Sequence, residues 1–293
     1  MSDLNSNTKL VKTLKVVIPK RLRELILKSF LYQNHKALGD WRYPFLTIGW
    51  KIAALLTRAR KVSVDGIEFT LPCANWITHF RWYLFKTKEI EVRKYIKENV
   101  KEGDIFFDIG ANIGVFTVYA AKIKKNIKVY SFEPEYSNLN LLKQNVLDND
   151  ISDQVNIFSV GLSDEVGFSQ LHIQDTEPGA AAHSESRQNI KTTDEGYPVL
   201  WKEGIMTSTL DHLCEDLQIY PNCIKIDTDG NELKILKGAS YTLNNPVLRS
   251  LIIEMPLYEE EKMIACENIL KASGFKPSWS DRKNTMNEVW VRE

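Results

Sequence analysis

The stretch IFFDIGANIGVFTVYAAKI, residues 105–123, decides the fold. Ile105-Phe106-Phe107 is a short apolar run, glycines follow at 110 and 114, and apolar residues recur at helical spacing from Val115 to Ile123. This is a strand, a tight turn and a helix. The glycines let the backbone turn sharply and let a ligand approach closely, while the first turn of the helix offers N–H groups that have no intrahelical partner. The spacing is not the G-x-G-x-x-G of dinucleotide folds, because Ala111 and Asn112 follow the first glycine.

A second strand, Lys128 to Phe132, ends in Glu133-Pro134. An acid at the carboxyl end of that strand can accept hydrogen bonds from both hydroxyls of a ribose. A glycine turn after one strand and an acid after the next describe a nucleoside site at the switch point of a doubly wound sheet. No phosphate-binding lysine motif accompanies them, so the nucleoside is read as S-adenosylmethionine rather than a nucleoside triphosphate. Further on, a strand from Cys223 to Ile226 leads into Asp227-Thr228-Asp229-Gly230 and Glu232. The run Ser250 to Met255 carries another strand-end carboxylate, Glu254, a candidate base or acceptor-binding group.

Five segments in order, FDIGANIGVFT (107–117), SFEP (131–134), VGLSD (160–164), TLD (209–211) and KIDTDGNELKILKGA (225–239), resemble the successive motifs of FkbM-type methyltransferases. The resemblance covers about residues 90 to 256. It implies an α/β fold, the class I methyltransferase Rossmann-like doubly wound sheet of seven strands, order 3-2-1-4-5-7-6 with the last strand antiparallel, preceded here by an N-terminal helical extension. It also implies S-adenosylmethionine as cofactor and methyl transfer to a hydroxyl oxygen. On the matching positions, Asp108, Gly110, Asn112 and Gly114 would hold the methionine part and the sugar edge of the cofactor. Glu133 would bind the ribose, and Leu162, Ser163 and Asp164 would border the adenine. Asp227 would face the sulfonium and the acceptor, binding the cofactor's ammonium, serving as base or ligating a metal.

One departure concerns the acidic pair. The family commonly shows Asp-x-Glu-Gly, where this chain has Asp227-Thr228-Asp229-Gly230. Three carboxylates in six residues could coordinate Mg²⁺, but Asp229 as N-terminal cap of a helix Asn231–Lys237 explains the residue without metal, and that reading is preferred. An aliphatic hydroxyl needs a base to take its proton. Besides Asp227 and Glu254, the candidate is His183, in the long polar stretch Gln174–Ile205. That stretch exceeds an ordinary connection and is expected to form part of an acceptor lid.

The chain of 293 residues is neutral overall, yet residues 1–60 hold twelve Lys/Arg against three Asp/Glu, a local charge of +9 that the remainder balances. Leu10–Leu31 and Trp41–Arg60 read as basic amphipathic helices, the latter bearing Trp41 and Trp50. They suit packing on the body, a homo-oligomer contact, or an anionic membrane surface. KVSVDGIEFTL (61–71) is a hairpin turning at Asp65-Gly66, and Trp76–Val100 reads as one helical segment. The expected division is a leader with hairpin, 1–75, and a methyltransferase domain, 76–293. No run is long enough to span a bilayer and no signal-peptide order is present, so the expected location is cytoplasmic, with attachment to the inner face of the membrane allowed. Four scattered cysteines suggest neither zinc nor disulfides.

An acidic body without an Asn/Asp-Pro-Pro-Tyr/Phe motif argues against nucleic acid as partner. The expected function is O-methylation of a sugar hydroxyl in a glycan or glycolipid precursor. The alternatives are O-methylation of a small secondary metabolite, or a non-catalytic cofactor-binding scaffold.

Overall fold

The computed structural model describes residues 59–193 and 196–292, together with the helical residues Ile48, Gly49, Ile52 and Leu55. The expected helix Leu10–Leu31 and most of Trp41–Arg60 lie outside the described residues. The chain divides into two units, Met1–Leu56 and Thr57–Glu293. In the first, Ile48, Ile52 and Leu55 stand exposed at spacings of four and three. Among the described residues no helix is long and apolar enough to cross a membrane.

The second unit opens with the expected hairpin, β1 (Arg60–Val64) and β2 (Ile67–Leu71). Asp65 and Gly66 both take positive φ, 52° and 82°, as a two-residue I′ turn requires. Val62, Phe69 and Leu71 are buried in the core of this unit. The Asp65 carboxylate accepts hydrogen bonds from Arg93 (3.0 Å) and the Tyr119 hydroxyl (2.9 Å). The hairpin, grouped with the leader on sequence grounds, is thus packed into the body. The single helix expected over Trp76–Val100 is two, α1 (Trp76–Leu84) and α2 (Ile90–Asn99). Lys86, Thr87 and Lys88 offer nothing apolar to bury, and the N–H groups of Thr87 and Lys88 close on the Leu84 carbonyl.

The decisive stretch forms β3 (Ile105–Ile109) and α3 (Val115–Ile123), followed by β4 (Lys128–Phe132), α4 (Tyr136–Asp148) and β5 (Val155–Phe158). An insertion then builds β6 (Gly161–Leu162), β7 (Gly167–Ile173), β8 (Ser184–Ser186) and β9 (Trp201–Ser208), a separate four-stranded sheet of order β6-β9-β7-β8. The expected 174–205 lid is therefore in part strand. The chain continues through α5 (Leu210–Leu217), β10 (Cys223–Ile226), α6 (Glu232–Lys237), α7 (Ser240–Asn244), β11 (Ser250–Glu254), α8 (Glu260–Ala272), β12 (Phe275–Ser280) and β13 (Asn287–Arg292).

The main sheet has the order β12-β13-β11-β10-β3-β4-β5, with β13 antiparallel to both neighbours. This is the 3-2-1-4-5-7-6 arrangement of class I methyltransferases. Side chains alternate across each strand, so Phe106, Cys223 and Ile252 join one core with the hairpin, α2 and α3. Phe107, Ile224 and Ile253 join the other with α5, α6 and α8. Both faces being covered, the central strands read as nearly continuous apolar runs. The four cysteines are free and buried.

Candidate functional site

The carboxyl ends of the central strands open onto one cleft of about 410 Å³. Gly110, Ala111 and Asn112 line it after β3, Glu133 after β4, Asp227 to Asp229 after β10 and Glu254 at the end of β11. Register brings them together. Ile109 pairs with both Phe132 and Ile226, and Ile226 with Ile253, so these turns leave the sheet at one level.

The turn after β3 is shaped by close approach. Gly110 has φ +72°, and a Cβ there would lie 1.8 Å from the Asp227 carbonyl oxygen; at Gly114, φ +80°, it would lie 2.2 Å from Leu142. Only glycine fits either place. Asn112, also left-handed at φ 50°, is among the residues that tolerate this region.

Glu133 is buried and held by two backbone donors. Its carboxylate accepts from the N–H of Asn112 (2.7 Å) and of Glu135 (2.9 Å). Burial, with the neighbouring Glu135 charge, pushes its pKa up to about 7 against those hydrogen bonds. Each carboxylate oxygen keeps acceptor capacity for a hydroxyl.

Over this part of the cleft lies residues 174–183 of the insertion, sewn down at several points. The Ala180 carbonyl accepts from the side chains of Asn112 (2.7 Å) and Asn138 (3.2 Å), Arg81 donates to the Gly179 carbonyl (2.8 Å), and the Ala182 N–H donates to Asp229 (2.7 Å). His183 ends the segment, buried, with neither ring nitrogen partnered. Burial lowers its pKa, and the charges bearing on it are those of Glu135 and Asp175. Burial thus favours the neutral imidazole, and the ring lines the same cleft as Asp227 and Glu254.

At the far end, Lys225 sits fully inside the sheet between two carboxylates, 3.1 Å from Asp108 and 3.5 Å from Asp227, and donates to the Gly110 carbonyl (3.1 Å). Burial works against its charge, but Asp108 and Asp227 outweigh burial and hold the ammonium above the ordinary lysine range. For Asp227 burial likewise acts upward, and Lys225 overrides it to keep the pKa low. Glu254 is driven the other way, first by burial and then by the charges of Asp227, Glu232 and Asp229, and stays protonated. The result is an ionised Asp227 beside a protonated Glu254. Lys225→Met strands the fully buried Asp108 and should cost about 3–5 kcal/mol of folding free energy, seen as a lower denaturant midpoint at unchanged slope; an unmoved midpoint would contradict the pairing.

Several sequence expectations need correction. Asp108 is sealed behind the cleft wall by the Thr117 hydroxyl (2.6 Å) and Lys225, so it supports the turn without lining the cleft. Gly114 does not line it either; its place is set by Leu142. Leu162 lines the cleft, but Ser163 is turned to Asp164 and Glu185, and Asp164 is exposed; neither borders the cavity. Asp229 caps no helix. Asn231 occupies the cap position of α6, and Glu232 holds the loop by accepting from the N–H groups of Thr228 (2.9 Å) and Gly230 (3.1 Å). Asp229 instead lies with Asp227 and Glu254, carboxylate atoms within 4.8 Å of one another. Lys225 and the Ala180 carbonyl were not anticipated; the one signal was a lysine inside an otherwise apolar strand, CIKI.

A family model described as the methyltransferase FkbM domain matches residues 108–277, more than half of the chain. The chain belongs to the FkbM methyltransferase family. Curated relatives include the hexuronic acid methyltransferase AglP of Haloferax volcanii, 28% identical over 158 residues (54% of this chain, 59% of that protein). Another is the 31-O-demethyl-FK506 methyltransferase FkbM of Streptomyces tacrolimicus, 26% identical over 185 residues (56% of this chain, 70% of that protein). The match therefore spans less than two thirds of the Haloferax protein. Among solved structures, an FkbM methyltransferase from Methylobacillus flagellatus KT superposes with a TM-score of 0.45 at 14% identity, over 73% of this chain and 53% of that one. In this FkbM-family chain the matched segment begins at Asp108 and takes in every lining residue named above from the sheet ends.

Proposed function

We propose that this chain moves the methyl group of S-adenosylmethionine to a hydroxyl oxygen of a sugar in a glycan or glycolipid precursor. The observation that carries the reading is the shared cleft. A glycine turn, a buried acid able to take a diol, and an ionised carboxylate beside a protonated one stand in sequence along it. The cleft suits such a nucleoside, because both ring nitrogens of the buried His183 lack a partner and each oxygen of an ionised Glu133 keeps acceptor capacity beyond its backbone donors. The Gly110–Asn112 turn would hold the methionine portion, Glu133 the ribose hydroxyls, and Leu162, Leu171 and Ile205 the adenine.

When bound, the cofactor supplies a methyl carbon already activated by positive sulfur. The protein's work is alignment and proton removal. Asp227 would take the proton of the acceptor hydroxyl as its oxygen receives the methyl group, with S-adenosylhomocysteine as the leaving product. Glu254, carrying its own proton, can donate a hydrogen bond to the acceptor or to Asp227. His183 lines the same cleft and is a second candidate to meet the acceptor hydroxyl.

The sugar is supported by the Haloferax relative, a hexuronic acid methyltransferase. A small metabolite acceptor is the second reading, supported by the Streptomyces relative, a 31-O-demethyl-FK506 methyltransferase. Release of S-adenosylhomocysteine against a panel of sugars, glycolipids and small alcohols separates them. Turnover on sugars alone supports the proposal, and turnover on small alcohols alone overturns the sugar.

Asp227, Asp229 and Glu254 are close enough to hold a divalent ion, but Lys225 already supplies a cation to Asp227 at 3.5 Å. EDTA should therefore leave turnover unchanged, and loss restored by Mg²⁺ would contradict that assignment. We further propose that the +9 leader brings the enzyme to anionic membrane. Removing residues 1–58 should abolish sedimentation with phosphatidylglycerol vesicles while sparing cofactor binding, and undiminished sedimentation would contradict it.

A further inference from the structure

Helix α1 carries an arginine to the wall of the cleft. The helix is fastened to three consecutive residues of the overlying segment. Its cap residue Asn75 donates to Glu177 (3.0 Å) and to the Pro178 carbonyl (2.8 Å), and Arg81 Nε donates to the Gly179 carbonyl (2.8 Å). A Cβ on Gly179 would stand 3.2 Å from Thr78 and 3.3 Å from Ile77, so helix and segment are in close contact. Arg81 lines the cleft. With Nε engaged, its Nη1 and Nη2 make no hydrogen bond or ion pair with any described residue. The other described cations on the cleft wall are committed elsewhere. Lys225 stands between Asp108 and Asp227, and the exposed Lys88 meets Glu89 at 3.0 Å.

We propose that Arg81 is the carboxylate clamp of this cleft, its two terminal nitrogens gripping the α-carboxylate of bound S-adenosylmethionine. The inference rests on the cofactor of the methyl-transfer reading and adds the group that holds its amino-acid end. A guanidinium presenting two parallel N–H donors matches a carboxylate in a bidentate pair. The Nε bond already restrains the side chain, so less freedom is lost on binding. Position favours the cofactor over the acceptor as the source of the carboxylate. Arg81 and the Asn112 side chain hold neighbouring carbonyls, those of Gly179 and Ala180, so the guanidinium stands beside the Gly110–Asn112 turn given to the methionine portion. Beside burial and Lys225, the charge of Arg81 bears on Asp227, which puts the clamp at the end of the cleft where the methyl group is to be transferred.

The test measures, by calorimetry on the full chain, binding of S-adenosylmethionine and of its decarboxylated analogue, which keeps the sulfonium and the amine and lacks only the carboxylate. Methyl glucuronide is titrated separately into the chain saturated with S-adenosylhomocysteine. The parent should bind S-adenosylmethionine about tenfold or more tightly than the analogue, a difference of about 1.4 kcal/mol. Arg81→Gln should erase that preference by weakening S-adenosylmethionine alone. Equal binding of the two compounds by the parent would overturn the proposal without recourse to a variant. A loss common to both compounds in Arg81→Gln would reduce Arg81 to a strut for residues 177–179. A preference kept in Arg81→Gln while methyl glucuronide binding is lost would give the guanidinium to an anionic acceptor; either result overturns the clamp. A parent that binds neither compound would refute the cofactor itself and the clamp with it, whereas equal binding refutes the clamp alone, so the two failures are distinct.

Discussion

Glu133→Gln should weaken S-adenosylmethionine binding about a hundredfold at pH 8, because each hydrogen bond to a buried ionised carboxylate is worth about 1.5–3 kcal/mol and the amide keeps only one acceptor atom. The pH dependence is the sharper signature. Burial holds Glu133 near pKa 7 in the free protein, so below that pH the carboxyl is protonated and one of its oxygens becomes a donor. Two ribose hydroxyls favour the ionised form, and binding must then expel the proton. Affinity should fall as pH drops through 7, approaching tenfold per unit below it, and level off above it. In Glu133→Gln the profile should be flat over the same range. Calorimetric titration from pH 5.5 to 8.5 reads both effects, and a flat parent profile with unchanged affinity in the variant would remove Glu133 from the ribose.

Asp227→Asn should lower turnover by about 10²–10⁴, the usual share of a positioned general base, while changing cofactor affinity less than tenfold. Lys225 is why this carboxylate is the one that is ionised, and an amide at 227 can accept no proton. Glu254→Gln should cost much less, about tenfold, since the amide imitates a protonated carboxyl in size and in offering a donor. The two variants thus split the pair by role. Comparable losses in both, or turnover in Asp227→Asn within tenfold of the parent, would contradict the assignment.

What could be read from the sequence followed from local signals. The Gly110–Gly114 turn, the acid after β4 and the Asp65-Gly66 hairpin each depend on a few adjacent residues whose backbone demands are specific, and all three appear where expected. The electrostatics of the far end are not local. Lys225 faces Asp108 because β10 and β3 pair in that register, and Glu254 stands beside Asp227 because each follows the paired Ile253 and Ile226. A one-residue slip would undo both.

The same reason hid the segment 174–183. Its length was evident, but its docking depends on where Asn112, Asn138 and Asp229 lie in space. Capping is the commonest use of an aspartate before a helix, which is what the sequence around Asp229 suggests, whereas Asn231 fills that place and Glu232 braces the loop. Asp108 and Ser163, carried over as ligand-facing positions, turn out to brace the cleft from behind.

The central claim is that this cleft delivers a methyl group to an acceptor hydroxyl. It is tested most directly by incubating the full chain with S-adenosylmethionine carrying a ¹³C-methyl group and methyl glucoside, then locating the label by NMR. The account predicts a labelled methyl ether on a ring hydroxyl oxygen, absent in Asp227→Asn. Label on nitrogen or carbon, or no transfer to any hydroxyl while the cofactor binds, would contradict it.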